Sequence, residues 1–141
     1  MTTFTRRSFV LALVALAAGA SCRREARCQR CGMVLDPSSR WRVDAKAADG
    51  GVASFDTPKC AFTWAFGHAV APAALTFRAY YGQQSAAGDA LSFAVGSDVQ
   101  GPMGDDFVPV EPALATKFRA EHEAKQMLAA KEITREMAEG M

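Results

Sequence analysis

Apolar and polar residues alternate over short runs through the middle of the chain, which predicts strands rather than long helices. Residues 41–47 and 51–56 alternate on either side of an Asp-Gly-Gly turn, and this arrangement predicts a hairpin. Residues 74–81 alternate as well and are rich in aromatic side chains, which favours a third strand. One run between these strands lacks the alternation and predicts a helix.

This first helix is predicted over the run KCAFTWAFGHA, residues 59–69. Thr57 is a suitable N-cap, and Pro58 suits the first helical position because its backbone N–H is not needed there. Gly67 is the predicted C-cap.

The second half of the chain repeats the same order of elements. Its predicted elements are two strands, a helix and a final short strand, at residues 90–97, 105–110, 111–128 and 129–134. Phe55 and Phe66 stand eleven residues apart, as do Phe107 and Phe118. The sequence therefore predicts an α+β fold made of two tandem ββαβ units. We expect the units to share one core, because a half of about 55 residues buries little by itself.

The first 21 residues have the composition of an export signal. Arg6 and Arg7 precede an apolar run of 12 residues, Phe9 to Ala20, and no acidic residue occurs before Cys22. A spanning helix needs about 20 apolar residues, so this run is too short. The order Thr-Arg-Arg-Ser-Phe-Val resembles the twin-arginine signal of bacteria, and an ordinary Sec signal is the alternative.

Cys22 follows Gly-Ala-Ser in an order that resembles the lipobox of bacterial lipoproteins, where cleavage precedes a lipidated cysteine. Gly19 stands where leucine is usual, and the alternative is plain cleavage that leaves Cys22 as a thiol. We predict a lipid-anchored protein on the periplasmic side of a bacterial membrane. Its predicted parts are a signal peptide at 1–21, an arginine-rich tether at 22–30, a first unit at 31–82 and a second unit at 83–141. The formal net charge of +1 gives no reason to expect a nucleic-acid partner.

The candidate chemistry of the chain lies in its cysteines and methionines. Cys28 and Cys31 stand three residues apart, and Met33 follows one glycine later. Thiolate and thioether ligands select Cu(I) over harder ions, and the glycine gives the backbone freedom to direct both side chains inward. Met103 lies in a Gly-Pro-Met-Gly loop, where a methionine buries little. Cys60 offers a third sulfur, or packs as a small apolar residue.

Other uses of the cysteines fit the sequence less well. Attachment of a c-type haem is excluded, because Gly32 occupies the position of the required histidine. Structural zinc needs four ligands, whereas the chain offers one Cys-x-x-Cys pair, a lone third cysteine and two distant histidines, His68 and His122. A disulfide between Cys28 and Cys31, or one with the third cysteine, remains open for an exported protein. A catalytic thioredoxin-type pair precedes a helix, whereas a strand-like run follows this one.

Taken together, these motifs resemble those of the NosL family, the copper-binding lipoprotein accessory factors of nitrous-oxide reductase. The resemblance rests on Cys22, on CQRCGM, on SFD before a helix, on FAVGSDVQGPMGDDFVPV and on ATKFRAEHEAKQMLAAKEIT. It covers essentially the whole mature chain, and it implies two ββαβ units that bind Cu(I).

The resemblance also implies a ligand set and a partner. Cys31 and Met33 match the Cys-Gly-Met motif of the family, and Met103 matches its Met-Gly methionine. The implied function is delivery of Cu(I) to nitrous-oxide reductase or to its maturation complex by a protein that is not an enzyme.

Asp105 departs from the family pattern, because many members have histidine two residues after that methionine. A carboxylate is a poor ligand for Cu(I), so Cys28 or Cys60 is expected to complete the site. The alternative function is a periplasmic thiol–disulfide protein that uses Cys28 and Cys31.

Overall fold

The computed structural model describes residues 24–141. The predicted signal peptide and the predicted lipidation site at Cys22 lie outside these residues. In the described part of the chain the longest helix has ten residues, and none is long and apolar enough to cross a membrane.

The first half of the chain forms an antiparallel sheet with one helix packed on it. Its elements in chain order are β1 (Val43–Lys46), β2 (Val52–Phe55), α1 (Pro58–Gly67), β3 (Thr76–Arg78) and β4 (Ser85–Ala87). The predicted hairpin is confirmed, with Val43 paired to Phe55 and with Gly50 in the turn at φ +84°. β4 was not predicted, and it extends the sheet to the order β2-β1-β3-β4. The first four elements give the order ββαβ.

The start of α1 follows its local sequence signals. Thr57 is the N-cap, and its hydroxyl accepts the backbone N–H of Cys60 at 3.2 Å. Pro58 is the first helical residue, as predicted. Thr57 is fully buried, so this cap fixes the first turn of the helix inside the fold.

The end of α1 lies one residue beyond the prediction. Gly67 is the last helical residue and His68 is the C-cap, so the predicted cap at Gly67 is wrong. The His68 ring stacks on Trp64 with centroids 4.3 Å apart, and the His68 backbone N–H bonds to the Trp64 carbonyl. These contacts carry the helix past the glycine, and the chain turns at Ala69, which has φ +53°.

The second half forms a three-stranded antiparallel sheet in the order β6-β5-β7. Its elements in chain order are β5 (Ser92–Val95), β6 (Val108–Val110), α2 (Ala115–His122), β7 (Gln126–Ala129) and α3 (Arg135–Gly140). The first four again give the order ββαβ, and the mixed helix and sheet content confirms the predicted α+β class.

The predicted helix at 111–128 and the predicted strand at 129–134 are both wrong in extent. Glu123 takes a left-handed conformation, φ +51°, so the helix ends at His122, six residues before the predicted end. The next residues form β7, whose Leu128 pairs with Phe93 of β5. Ala130–Glu132 is a short 3-10 helix rather than a strand. Pairing with β5 overrides the helical preference of these side chains.

The hydrophobic core joins the two halves. Phe62 of α1 lies 5.3 Å from Phe77, 5.2 Å from Phe93 and 5.0 Å from Phe107, measured between ring centroids. All four rings are fully buried, and two of them come from each half. The expectation of a shared core is therefore confirmed.

The segment at residues 27–34 folds back on itself as a tight loop beside β2. Arg27 and Val34 form an antiparallel bridge, and the backbone N–H of Gln29 bonds to the Ser54 carbonyl of β2 at 3.0 Å. Cys28 is only 3% exposed. Residues 27–30 lie inside the predicted tether, yet they belong to the folded part of the chain.

Candidate metal centre

Three thiols and one carboxylate meet where this loop touches the end of β2 and the start of α1. The four residues are Cys28, Cys31, Asp56 and Cys60, and one donor atom of each lies within 4.8 Å of every other. All three cysteines are free thiols. We call this group the thiol cluster.

The loop at residues 27–34 holds two of the sulfurs in place through backbone hydrogen bonds. Gly32 has φ +76°, a conformation that favours glycine, and its N–H bonds to the Cys28 carbonyl at 2.9 Å. The sulfur of Cys28 accepts backbone hydrogen bonds from Arg30, Cys31 and Asp56, while the sulfur of Cys31 accepts one from Met33. This is a nest of N–H dipoles around sulfur, which stabilises negative charge there.

The acidity of Cys28 reflects these contacts. A hydrogen bond from the Cys60 thiol, opposed by burial and assisted by the backbone N–H groups, lowers the pKa of Cys28 to about 6. These contacts favour negative charge on Cys28 over the other two sulfurs.

The other two thiols remain protonated at neutral pH. Burial is the main reason that the pKa of Cys31 is raised. The pKa of Cys60 is raised because its thiol donates to Cys28, and burial and the nearby Asp56 carboxylate act in the same direction. Negative charge on one sulfur raises the pKa of the other two, because like charges on adjacent sulfurs repel each other.

Asp56 gives the thiol cluster its only oxygen donor. The residue is 8% exposed, and its Oδ2 accepts a hydrogen bond from the Cys31 sulfur at 3.5 Å. Its Oδ1 is buried and has no hydrogen-bond partner. An unpaired buried carboxylate oxygen is costly, and Asp106 Oδ2 and Glu111 Oε2 are in the same state; Asp56 Oδ1 differs from them because it belongs to a residue of the thiol cluster.

A positive charge lies beside the cluster as well. The Arg30 guanidinium approaches the Cys60 sulfur at 3.9 Å, whereas the Lys59 ammonium reaches backbone carbonyls of Asp105 and Met141. Arg30 is therefore placed to offset negative charge on a metal–thiolate group.

An open cleft of about 420 Å³ connects Asp56 with solvent. Met33, Leu35, Arg42 and Pro102 line it together with Asp56. Met33 is 46% exposed, so its thioether lies on the outer part of this cleft rather than in the core.

Met103 lies on a second loop that is attached to the first turn of α1. Gly101 and Gly104 exchange backbone hydrogen bonds of 2.7 and 3.1 Å, and Met103 between them is 45% exposed. Asp106 closes this loop: its buried Oδ1 accepts the backbone N–H of Lys59 at 2.8 Å. The Met103 loop and the Cys60 turn are therefore fixed to each other.

The structure brings the predicted residues together in part. Cys28, Cys31 and Cys60 meet in the thiol cluster, and Met33 lines the same cleft as Asp56 of that cluster. Met103 has its neighbour Pro102 in the cleft wall, and the ligand role of both methionines stays a prediction.

The two histidines and the acidic residue of the Met103 loop are occupied elsewhere. His68 stacks on Trp64, and His122 bonds Asp98 at 2.9 Å and Tyr80 at 3.2 Å. The carboxylate of Asp105 is exposed and accepts a hydrogen bond from the Gln100 amide at 2.8 Å. None of the three lies in the thiol cluster.

A sequence model of the NosL family matches residues 20–138, which is most of the chain. The chain belongs to the NosL family. This confirms the predicted family and agrees with the prediction that the chain is not an enzyme. No curated protein matches the sequence of this NosL-family chain.

The fold also matches a solved NosL structure. The copper chaperone NosL from Shewanella denitrificans superposes with a TM-score of 0.63 at 15% sequence identity, over 77% of this chain and 90% of that one. The likeness at this identity establishes that the two share a fold.

Asp56 is the residue of the thiol cluster that the sequence did not predict. Its signal was the SFD motif directly before the N-cap of α1. That motif alone does not distinguish a metal ligand from an ordinary polar residue at the end of a strand. Asp56 becomes a candidate metal ligand because the 27–34 loop packs against it and brings the Cys31 sulfur to its carboxylate.

Proposed function

We propose that the chain is a copper chaperone that binds Cu(I) in the thiol cluster and passes it to a copper enzyme. The observation that carries the proposal is the meeting of Cys28, Cys31 and Cys60 within 4.8 Å of one another, next to Asp56, which lines an open cleft. Sulfur ligands select Cu(I), and two or three of them satisfy it.

The arrangement of the three sulfurs supports binding followed by release. Cys28 and Cys60 are buried at 3% and 0% exposure, whereas Cys31 is partly exposed. Cu(I) would enter beside the Cys31 sulfur and gain the Cys28 thiolate as a second ligand. Incoming thiolates or imidazoles of an acceptor would displace these ligands one at a time, so that the metal is never free in solution.

The thioethers suit the entry step. Met33 lines the cleft, and Met103 sits on a loop whose neighbouring Pro102 reaches the same cleft. A thioether is a neutral, soft ligand, and two such groups near the opening would hold Cu(I) weakly before the thiols take it.

The acceptor in this proposal is nitrous-oxide reductase or its maturation complex. The support is membership of the NosL family, together with the fold that the chain shares with a copper chaperone. A copper-loaded chain should restore metal to the metal-free reductase faster than an equal concentration of Cu(I) held by a small chelator. Equal rates would argue against a dedicated delivery role.

The proposed location is the periplasmic side of a bacterial membrane, with export by the twin-arginine route and a lipid on Cys22. Arg24 and Arg27 follow the anchor, are exposed and would face anionic headgroups. Each such charge near a membrane contributes about 1 kcal/mol. Mass spectrometry of the mature protein should find a lipidated N-terminus at Cys22, and an unmodified N-terminus would contradict the anchor.

The alternative function, thiol–disulfide exchange by Cys28 and Cys31, has one observation in its favour. The lowered pKa of Cys28, about 6, would make this sulfur a nucleophile at neutral pH. Cys28 is buried, however, and the more accessible Cys31 has a raised pKa because of burial. Exchange needs a thiolate that a substrate can reach, so the geometry favours metal binding.

An anaerobic titration of the reduced protein with Cu(I), in competition with a chromogenic Cu(I) chelator, tests the proposal. One copper should bind per chain, and Cys28→Ser or Cys60→Ser should each weaken binding more than about tenfold, or 1.4 kcal/mol. Cys22→Ser is the matched control, and it should leave the affinity unchanged. Turnover of a thiol substrate without a tight copper site would favour the alternative.

A further inference from the structure

The cleft beside the thiol cluster carries charges of both signs. Its volume of about 420 Å³ lies within the range of about 300–1,000 Å³ that is usual for small-molecule sites. Its lining includes two arginines, Arg40 and Arg42, and the exposed carboxylate of Asp36. We infer that the cleft binds a small thiol of the amino-acid class, which is an amino acid or short peptide with an ammonium, a carboxylate and a sulfur. The use of that sulfur in copper supply rests on the proposed function.

Arg40 is the group that would bind the carboxylate. Its guanidinium lies 4.7 Å from the centroid of the Tyr80 ring, and in the described part of the chain it forms no ion pair with an acidic side chain. The guanidinium of Arg42, in contrast, is paired with Asp44 at 3.2 Å. Stacking on an aromatic ring orients a guanidinium and leaves its N–H groups available to a carboxylate. Arg40 therefore offers the cleft a positive charge that no other side chain neutralises.

Asp36 supplies the opposite charge, which suits an ammonium group. The hydroxyl and the backbone N–H of Ser38 donate to its Oδ1 at 2.6 and 2.8 Å, and they hold the pKa of Asp36 below its ordinary value. Its segment is held in place by Arg78, which donates to the carbonyls of Pro37 and Ser39 at 2.8 and 2.9 Å. A zwitterion would thus meet both of its charges in a preformed cleft.

The rest of the lining explains why the ligand would carry a sulfur. Met33 and Asp56 line the same cleft, and the partly exposed Cys31 sulfur bonds Asp56 at 3.5 Å. A Cu(I)-bound thiol in the cleft would therefore lie next to the sulfur by which the metal is proposed to enter. Transfer replaces the Cu–S bond to the small thiol with a Cu–S bond to Cys31. The Cys31 proton passes to the departing sulfur, so the step needs no oxidant or reductant.

S-methylglutathione is the probe for the cleft, because it keeps the charged groups of a thiol peptide but cannot form a disulfide. It is titrated by calorimetry into the reduced, metal-free protein with Cys22→Ser. One molecule should bind per chain, and Arg40→Gln should weaken binding more than about tenfold. Arg40→Lys keeps the charge but loses the planar fork, so its affinity should lie between the two. Arg119→Gln, at an exposed arginine of α2, is the matched control and should leave the affinity unchanged.

Copper loading separates this inference from the proposed function. Arg40→Gln should slow loading from glutathione-bound Cu(I) about fivefold, and it should leave the equilibrium Cu(I) affinity within about twofold. Loading from Cu(I) bound to cysteamine, a thiol with no carboxylate, should not depend on Arg40.

The inference would be overturned if S-methylglutathione did not bind, if it bound Arg40→Gln equally well, or if the variant loaded at the unchanged rate. Each of these results leaves the copper site itself intact. Binding of S-methylglutathione to a chain that takes up no Cu(I) would support the cleft as a ligand site and contradict the proposed function.

Discussion

Asp106 holds the Met103 loop against the first turn of α1, and replacing it with asparagine should stabilise the protein at neutral pH. The carboxyl group is 3% exposed, and burial raises its pKa from 3.8 to about 6 despite hydrogen bonds from the backbone of Lys59 and Phe107. A shift of about two pH units corresponds to about 3 kcal/mol. An acid whose pKa is raised by folding stabilises the native state below its unfolded pKa, and this contribution disappears as the pH rises through the folded pKa. The fold therefore loses up to about 3 kcal/mol between pH 4 and pH 7.

Asparagine keeps the size of the side chain and an oxygen that can accept the backbone N–H groups of Lys59 and Phe107. Unlike aspartate, it carries no charge at any pH between 4 and 8. Urea unfolding of the reduced protein, followed by tryptophan fluorescence from pH 4 to pH 8, measures the difference between Asp106→Asn and the unchanged chain. The difference should be near zero at pH 4 and should grow to about 2–3 kcal/mol in favour of the variant at pH 8. Asp105→Asn, at the exposed neighbouring position, should show no such trend. A variant that is less stable at pH 8, or that differs by the same amount at every pH, would refute this reasoning and identify Asp106 as a cap that requires its charge.

Three further predictions concern the core and the copper ligands. Phe62→Ala should lower the free energy of unfolding by about 3–5 kcal/mol and leave one cooperative transition, because this ring packs on both halves; two separate transitions in calorimetry would show that the halves unfold independently. His68→Asn with His122→Asn should leave the Cu(I) affinity within tenfold, since both rings bond elsewhere; a larger loss in a competition titration would reveal an imidazole ligand. Cys31→Ser should weaken Cu(I) binding more than Met103→Ala does, because a thiolate ligand contributes negative charge and a thioether does not. A larger loss for Met103→Ala in the same titration would place the tighter copper site at the Met103 loop.

Local signals in the sequence were sufficient to predict those parts of the fold that depend only on residues close together in the chain. Thr57 and Pro58 marked the start of α1 because capping and the fixed proline φ act within one turn. The end of α2 could not be read in the same way. Residues 126–129 are Gln, Met, Leu and Ala, all good helix formers. They form a strand because their backbone pairs with that of β5.

The candidate site shows the same division between local and distant information. The soft character of the site followed from Cys28, Cys31 and Cys60, since residue type alone decides which metals they favour. The place of Asp56 in it did not follow from residue type. Its role depends on contact with Cys31, which lies 25 residues earlier in the chain. No local sequence pattern predicts a contact between residues so far apart.

The fold begins by residue 26, whose carbonyl accepts the backbone N–H of Leu35 at 2.8 Å, and this early start would limit how far the metal can move from the proposed lipid anchor. Cys22 lies six residues before Cys28, and a fully extended chain of that length spans at most about 20 Å. With the proposed lipid on Cys22, the thiol cluster would stay within about 20 Å of the membrane surface, a distance comparable to the thickness of a single protein domain. Cu(I) could then be transferred only within that distance of the bilayer. An acceptor would have to bring its own copper-binding groups down to the membrane surface, and a freely diffusing acceptor that keeps those groups farther away would never meet the donor.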